Sequence, residues 1–274
     1  MSKQHQLIAD DTIKIIEQGF YLNNKGEKKD IRGHMDYAVP NTRLYTPADL
    51  DALLETAQQG TGNHTTFEVF NETTLDAARR LLKQGMEDIM CLNFASAKNP
   101  GGGFLRGSVA QEESIARASG LYHCLLQAKE YYSFHRQAGT CLYSDHMIYS
   151  PAVPVFKDEA GNLTDEVSAV NIITSAAVNA GEVKKNEPVR THLIEPYMRT
   201  RIEKMLALCV HHQQQHLILG AWGCGVFRND PVMIATLFKE ALAGKFAGCF
   251  KQVTFAVKTK QESMIAPFQQ LFLN

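Results

Sequence analysis

The sequence predicts a three-layer α/β/α domain with a mixed, largely parallel sheet, preceded by an N-terminal helical extension. Three observations carry this. From about Thr65, short apolar runs alternate with longer amphipathic ones. Residues 1–62 are more polar and show helical spacing. The 274 residues, 45% hydrophobic and 21% charged, are ordinary globular composition, enough for one large domain with an extension. We therefore divide the chain into an extension over 1–62, packed on the core, and an α/β domain over 63–274.

Within the extension, "LIADDTIKIIEQG" sets Leu7, Ile8, Ile15 and Ile16 near one face of a helix that Gly19 stops. "NNKGEKKDIRG" reads as a turn-rich connection. "TPADLDALLETAQQG" starts a second helix, with Thr46 as N-cap and Pro47 at its first position. In the domain, the strand-like runs are "TFEVF", "DIMCLNFAS", "HMIYSPAV", "AVNIITSAA", "HLILGAW" and "QVTFAVK". The intervening helices are "TTLDAARRLLKQG", "VAQEESIARASGLYHCLLQAKE", "EPYMRTRIEKMLALCVHH" and "DPVMIATLFKEALAG". "FKDEAGNL" reads as an exposed turn, "RTRIEK" as a solvated helix face and Trp222 as core.

Composition also excludes function classes. With 28 basic against 29 acidic residues and a net charge of −1, the chain has no general field for nucleic acid. A polyanionic partner would have to be held by local geometry. Six scattered cysteines without a C-x-x-C pair read as reduced thiols of a cytoplasmic protein. No apolar run approaches ~18 residues, so no membrane partner is expected.

In open α/β sheets, ligands bind beyond the carboxyl ends of strands. That directs attention to the loops after "CLNFAS" and "LILGAW". The first runs "AKNPGGGFLRG" into "SVAQEE". Ser108 and Gln111 have the spacing of a capping box. Glycines before a helix start let amides approach an anion. Spacing alone leaves a flexible connection equally open. A wheel drawn from Ser108 buries Ile115, Ala118, Tyr122, Leu125 and Leu126, with Glu112 on the flank and Glu113 nearly opposite. It applies only if the helix starts there. The second loop, "GAWGCGVFRNDP", brings Gly220, Gly223 and Gly225 before a helix capped by Asp230 with Pro231 following. It lacks the lysine of a P-loop and the third glycine of a dinucleotide fingerprint. A tight packing turn explains it as well as a diphosphate cradle does.

A triple glycine (Gly101–Gly103), seven residues and then Gln111-Glu112-Glu113 resembles the signature of poly(ADP-ribose) glycohydrolases of the macrodomain superfamily. The surroundings, "LNFASAKNPGGGFLRGSVAQEE", resemble the bacterial-type branch, and the likeness runs along most of the chain. The resemblance implies a macrodomain fold and release of ADP-ribose from polymer ends or from an ADP-ribosylated macromolecule. It makes Glu113 the acid/base and Glu112 its neighbour on the ribose hydroxyls. Asn99 and Gly101, Gly102 and Gly103, with Gln111, would line the scissile ribose. Gly223, Cys224, Gly225 and Val226 would hold the diphosphate, and Phe227 would pack on the distal ribose. The substrate's own diphosphate would steady an oxocarbenium-like transition state, so neither metal nor cofactor is expected.

Other patterns weigh less. His212 and His216 stand four apart, but no H-E-x-x-H follows and a solvated helix end is the plainer reading. Cys224 has no partnering base in sequence. A module that reads ADP-ribose without cleaving it needs the diphosphate loop but no "QEE". A hydrolase of mono-ADP-ribosylated targets shares the same distal half and is not separated by sequence.

Overall fold

A computed structural model describes every residue except 1, 58, 59, 61, 63 and 274. The boundary expected between 62 and 63 therefore touches positions outside the described residues. Helix α1 (Lys3–Gln18) ends at Gly19, whose φ of 79° is the left-handed turn a glycine accepts without a Cβ penalty. It buries Ala9, Thr12, Ile15 and Ile16, while Leu7 is 62% exposed and does not join that face. The turn-rich connection is a hairpin of β1 (Phe20–Leu22) and β2 (Lys28–Asp30), followed by an unforeseen helix α2 (Arg32–Asn41). Strand β3 (Arg43–Tyr45) comes next, and then α3 (Pro47–Thr56). Thr46 caps α3 in a reciprocal box with Asp49.

The remaining elements are β4 (Thr66–Phe70), α4 (Thr74–Lys83), β5 (Ile89–Phe94), α5 (Gln111–Ala118), α6 (Leu121–Leu125) and α7 (Lys129–Gln137). There follow β6 (Met147–Lys157), β7 (Leu163–Ser175), α8 (Ala180–Asn186), α9 (Ile194–His211) and β8 (His216–Leu219). The chain closes with α10 (Pro231–Ala243), β9 (Gln252–Ala256) and α11 (Glu262–Phe272). The sheet order is β3-β6-β7-β5-β8-β9-β4. Pairings from β7 through β4 are parallel, and β3 and β6 form an antiparallel margin. Strand β3, which precedes residue 62, is thus an edge strand of the main sheet.

Period-2 alternation explains the two covered faces. On β5, Met90 and Leu92 enter one core with α3, α9, α10 and α11. Ile89 and Cys91 enter the other with α4, α5, α6 and α7. Because β5 and β8 are neighbours, their C-terminal loops, one with the triple glycine and one with Gly223 to Phe227, lie side by side.

Two expectations need correction here. The helix read across "VAQEESIARASGLYHCLLQAKE" is broken into three. Ser119 is extended, its Oγ accepts from the Leu121 amide, and the Gly120 amide turns aside to the Pro154 carbonyl. A Cβ at Gly120 would lie 2.4 Å from the Met35 sulfur, so this residue type permits close packing of α2. Second, "RTRIEK" is no solvated face: Arg201 is 0% and Lys204 4% exposed. Arg201 donates to Asp145 and to the carbonyls of Ala176, Leu142 and Tyr143.

Candidate active site

Helix α5 starts at Gln111, not Ser108, and its N-cap Ala110 offers no side chain to the first-turn amides. The capping box read from Ser108 and Gln111 does not form. Ser108 instead closes the glycine loop, its amide donating to the Gly103 carbonyl. Arg117 reaches back from α5 to the Ser108 carbonyl and holds that loop against the helix. Glu112, on the buried side of α5 with Ile115 and Ala116, is 2% exposed, while Glu113 is partly buried at the cleft floor.

Glu113 Oε1 accepts from the Gly103 amide at 2.9 Å. Glu112 Oε2 accepts from the Ser96 amide at 2.6 Å, and its Oε1 lies 3.3 Å from the Asn93 amide nitrogen. The glycines are needed for the protein's own carboxylates. Gly102 has φ +60°, and a Cβ there would sit 2.4 Å from Glu113 Oε1 and 3.2 Å from Glu112 Oε2. At Gly101, φ +65°, a Cβ would strike the Phe104 ring at 2.9 Å. Gly101 is buried and turned into the protein, so it supports the loop rather than facing the cleft. We expect Gly102→Ala to push Glu113 aside and lower turnover about 100-fold, since misplacement on the ångström scale costs that much. Initial rates, with circular dichroism to confirm folding, check this; a rate within threefold of wild type would refute it.

Burial pushes the Glu112 carboxyl up to about 8, against the amides of Ser96 and Gly101 and with the charge of Glu113 adding to the rise. An unfolded glutamate titrates near 4.5. Between those values the folded state binds more protons, so this group costs nothing below 4.5 and progressively more stability as pH rises to 8. Glu112→Gln removes that slope. Asn93 can follow by turning its amide, because its Oδ1 has no partner among the described residues and would accept from the new amide. The expected result is a melting-temperature gain for Glu112→Gln that is largest near pH 8 and closes towards pH 4.5. A pH-independent difference would contradict it.

The other expected site residues divide. Asn99 stands at the rim, with its carbonyl accepting from the Gly102 amide. Gln111 faces the cleft, but its amide is committed: Oε1 accepts from Phe94 N, and Nε2 donates to Thr74 and the Leu92 carbonyl. It ties α5 to β5 and α4 and has no donor to spare. Gly223, Gly225, Val226 and Phe227 form the opposite wall. Among the described residues, the amides of Gly225, Val226 and Phe227 take no protein acceptor. Val226 is 79% exposed. Cys224 is the exception: its amide donates to the Ala221 carbonyl, and its thiol is buried beside the Trp222 carbonyl. Burial drives that thiol upward, which removes it as a nucleophile. Trp222 is core, as expected, its Nε1 donating to the Ser175 carbonyl.

The cleft between the walls holds about 880 Å³, and its far end is lined by Glu72, Thr73, Lys258, Thr259 and Met264. Such a volume takes a dinucleotide-sized ligand. Among the described residues no group of three metal-ligating side chains forms. His212 stacks on Tyr149 at 3.6 Å, whereas His216, on β8, bonds the Glu87 carbonyl, so they are not a pair. Sequence reading missed Asn93, which supports Glu112 from inside the sheet, although an asparagine in the buried run "CLNF" was a visible signal.

The family model for the microbial-type PARG catalytic domain matches residues 9–158. A poly(ADP-ribose) glycohydrolase structure from Thermomonospora curvata is 44% identical, covering 99% of this chain and 100% of its own, at a TM-score of 0.94. The same organism's enzyme bound to the inhibitor ADP-HPD is 44% identical over 98% of this chain and 99% of that one, at 0.91. The Deinococcus radiodurans enzyme in complex with ADP-ribose is 45% identical over 86% and 96%, at 0.83. No curated protein matches.

Proposed function

Because the chain belongs to the microbial-type poly(ADP-ribose) glycohydrolases, which hydrolyse ADP-ribose polymers, we propose that Glu113 is the residue that moves the proton in that reaction. The observation that carries this reading is its place: a carboxylate fixed by the Gly103 amide at 2.9 Å, on the floor between two amide-bearing loops. The scissile ribose sits on the first loop, between Asn99 and Phe227. The diphosphate lies on the amides of Gly225, Val226 and Phe227. The adenosine half runs towards Thr73 and Lys258 at the ends of β4 and β9.

Glu113 gives its proton to the glycosidic oxygen as the bond to the anomeric carbon breaks. Positive charge develops on the sugar, and the neighbouring diphosphate offsets it. Water then adds to the anomeric carbon, and its proton returns to Glu113, which restores the starting state. Glu112 keeps its proton through most of the neutral range because it is buried, so it can donate to a ribose hydroxyl. Cys224, Gln111 and Gly101 act as supports rather than as ligands. Cys91, Cys124, Cys141, Cys209 and Cys224 are free thiols, which fits a reducing cytoplasm.

The direct test follows free ADP-ribose from labelled polymer and from mono-ADP-ribosylated protein. Release from polymer that is lost in Glu113→Gln is the expected result. Release confined to the mono-modified protein would overturn the polymer assignment.

A further inference from the structure

Beyond Phe227 the cleft does not simply open to solvent. The Phe227 ring packs 6.0 Å from Tyr143, and Tyr143 also forms one wall of a second groove, of about 470 Å³. Phe134 and Ala138 from the end of α7 line it on one side, and Arg190, Leu193 and Tyr197 from the start of α9 and the turn before it on the other. Two aromatic side chains are left uncovered there, Phe134 at 46% and Tyr197 at 40% exposed. Arg190 is half exposed, with one contact to Glu187 at 3.0 Å. Glu187 is itself spent on Thr140 and on the Cys141 amide. The groove lining includes a cation and no carboxylate. Two further cations tie the cleft rim to α7, the helix that carries Phe134: exposed Lys98, adjoining Asn99, and Arg136, whose Nε donates to the Lys98 carbonyl.

We propose that this groove is a second nucleotide subsite, taking the adenosine-phosphate half of the ADP-ribose unit on the leaving side of the scissile bond. The inference rests on the function proposed above, which sets the scissile ribose against Phe227 and sends its own adenosine the opposite way. The rest of a polymer must then leave at the Asn99–Phe227 end, where Tyr143 joins cleft to groove. Its chemistry matches what it meets there. Adenine presents a flat π-face to Phe134 and Tyr197, and each diphosphate brings charge to Arg190, Lys98 and Arg136. Volume is adequate for a nucleotide. Free ADP-ribose, which ends at the distal ribose, would fill the first cleft alone.

That difference supplies the test. Phe134→Ala, Tyr197→Ala and Arg190→Ala change exposed side chains outside the cleft, so folding is expected to survive, and melting temperatures verify it. Each should lower kcat/KM for ADP-ribose release from long polymer by about 10-fold, as loss of one base stack or one phosphate contact does. The Kd for free ADP-ribose, measured by calorimetry, should stay within twofold. Unchanged polymer kinetics, or equal weakening of polymer turnover and ADP-ribose affinity, overturns the subsite. A wild-type protein that binds ADP-ribose but releases none from polymer overturns the underlying function as well, and so is distinguishable.

Discussion

Glu113→Gln should release ADP-ribose from polymer at least about 100-fold more slowly than wild type, because positioned acid–base catalysis is worth ~10²–10⁴. The substitution keeps shape and keeps an acceptor for the Gly103 amide, which now meets Glu113 Oε1 at 2.9 Å. It removes only the ability to exchange a proton. Affinity for ADP-ribose should therefore persist, and single-turnover kinetics beside calorimetry separate the two quantities. Glu112→Ala should behave differently and impair both, since it also leaves the Ser96 amide without its acceptor. Near-normal polymer hydrolysis by Glu113→Gln would remove this residue from the chemistry.

The largest stability effect is expected at Arg201, far from any reacting atom. Its guanidinium is 0% exposed and joins Asp145 at 3.0 Å to the carbonyls of Ala176, Leu142 and Tyr143. Lys204 completes the cluster, 2.9 Å from Asp145 and 2.8 Å from Asp51. Burial alone would raise the Asp145 carboxyl, but Arg201 and Lys204 outweigh that and hold it below the usual range. Its stabilisation is accordingly present above the unfolded value near 3.8 and is lost as pH falls through the lower folded value. Arg201→Met strands three carbonyls and half of the ion pair, and we expect a loss of about 3–5 kcal/mol. Thermal denaturation should show a fall of roughly 10 °C. Arg201→Lys should recover little, because an ammonium cannot reproduce the planar fork. A loss under about 1 kcal/mol for the Met variant would show that the cluster is not holding the segment that carries Tyr143 and Ala176.

The misreading of Arg201 shows where a sequence signal was present but ambiguous. Met198, Arg201, Ile202, Met205 and Leu208 recur at helical spacing and are all buried on α9. A basic residue within that stripe is, from the pattern alone, indistinguishable from one at its solvated margin. Only the approach of Asp145 and three carbonyls gives the charge a place inside. Glu112 and Glu113 present the same difficulty. Neighbours on a helix differ by about 100° in direction, and a wheel that includes Tyr122, Leu125 and Leu126 mixes residues from beyond the break at Ser119 with those of α5. Nothing in "GSVAQEE" marks Ala110 as the cap, since it makes no side-chain bond to announce itself. In contrast, Thr46-Pro47 and Asp230-Pro231 stated their helix starts outright, because those caps are made within three residues.

By itself the sequence determined the alternation of strands and helices, the two glycine loops at strand ends and, by resemblance, the family. Those features depend on period, local turns and a motif of neighbouring residues. The tertiary structure decided which glutamate is buried, why Gly102 can carry no side chain and which of the second loop's amides remain without a protein partner among the described residues. It also gave β3 to the edge of the sheet. Each of these depends on contacts between segments distant in the chain, such as Gly102 with Glu113 or Arg43 with Tyr149. Burial and pairing of that kind are set by the packing of the whole chain, which no local pattern encodes.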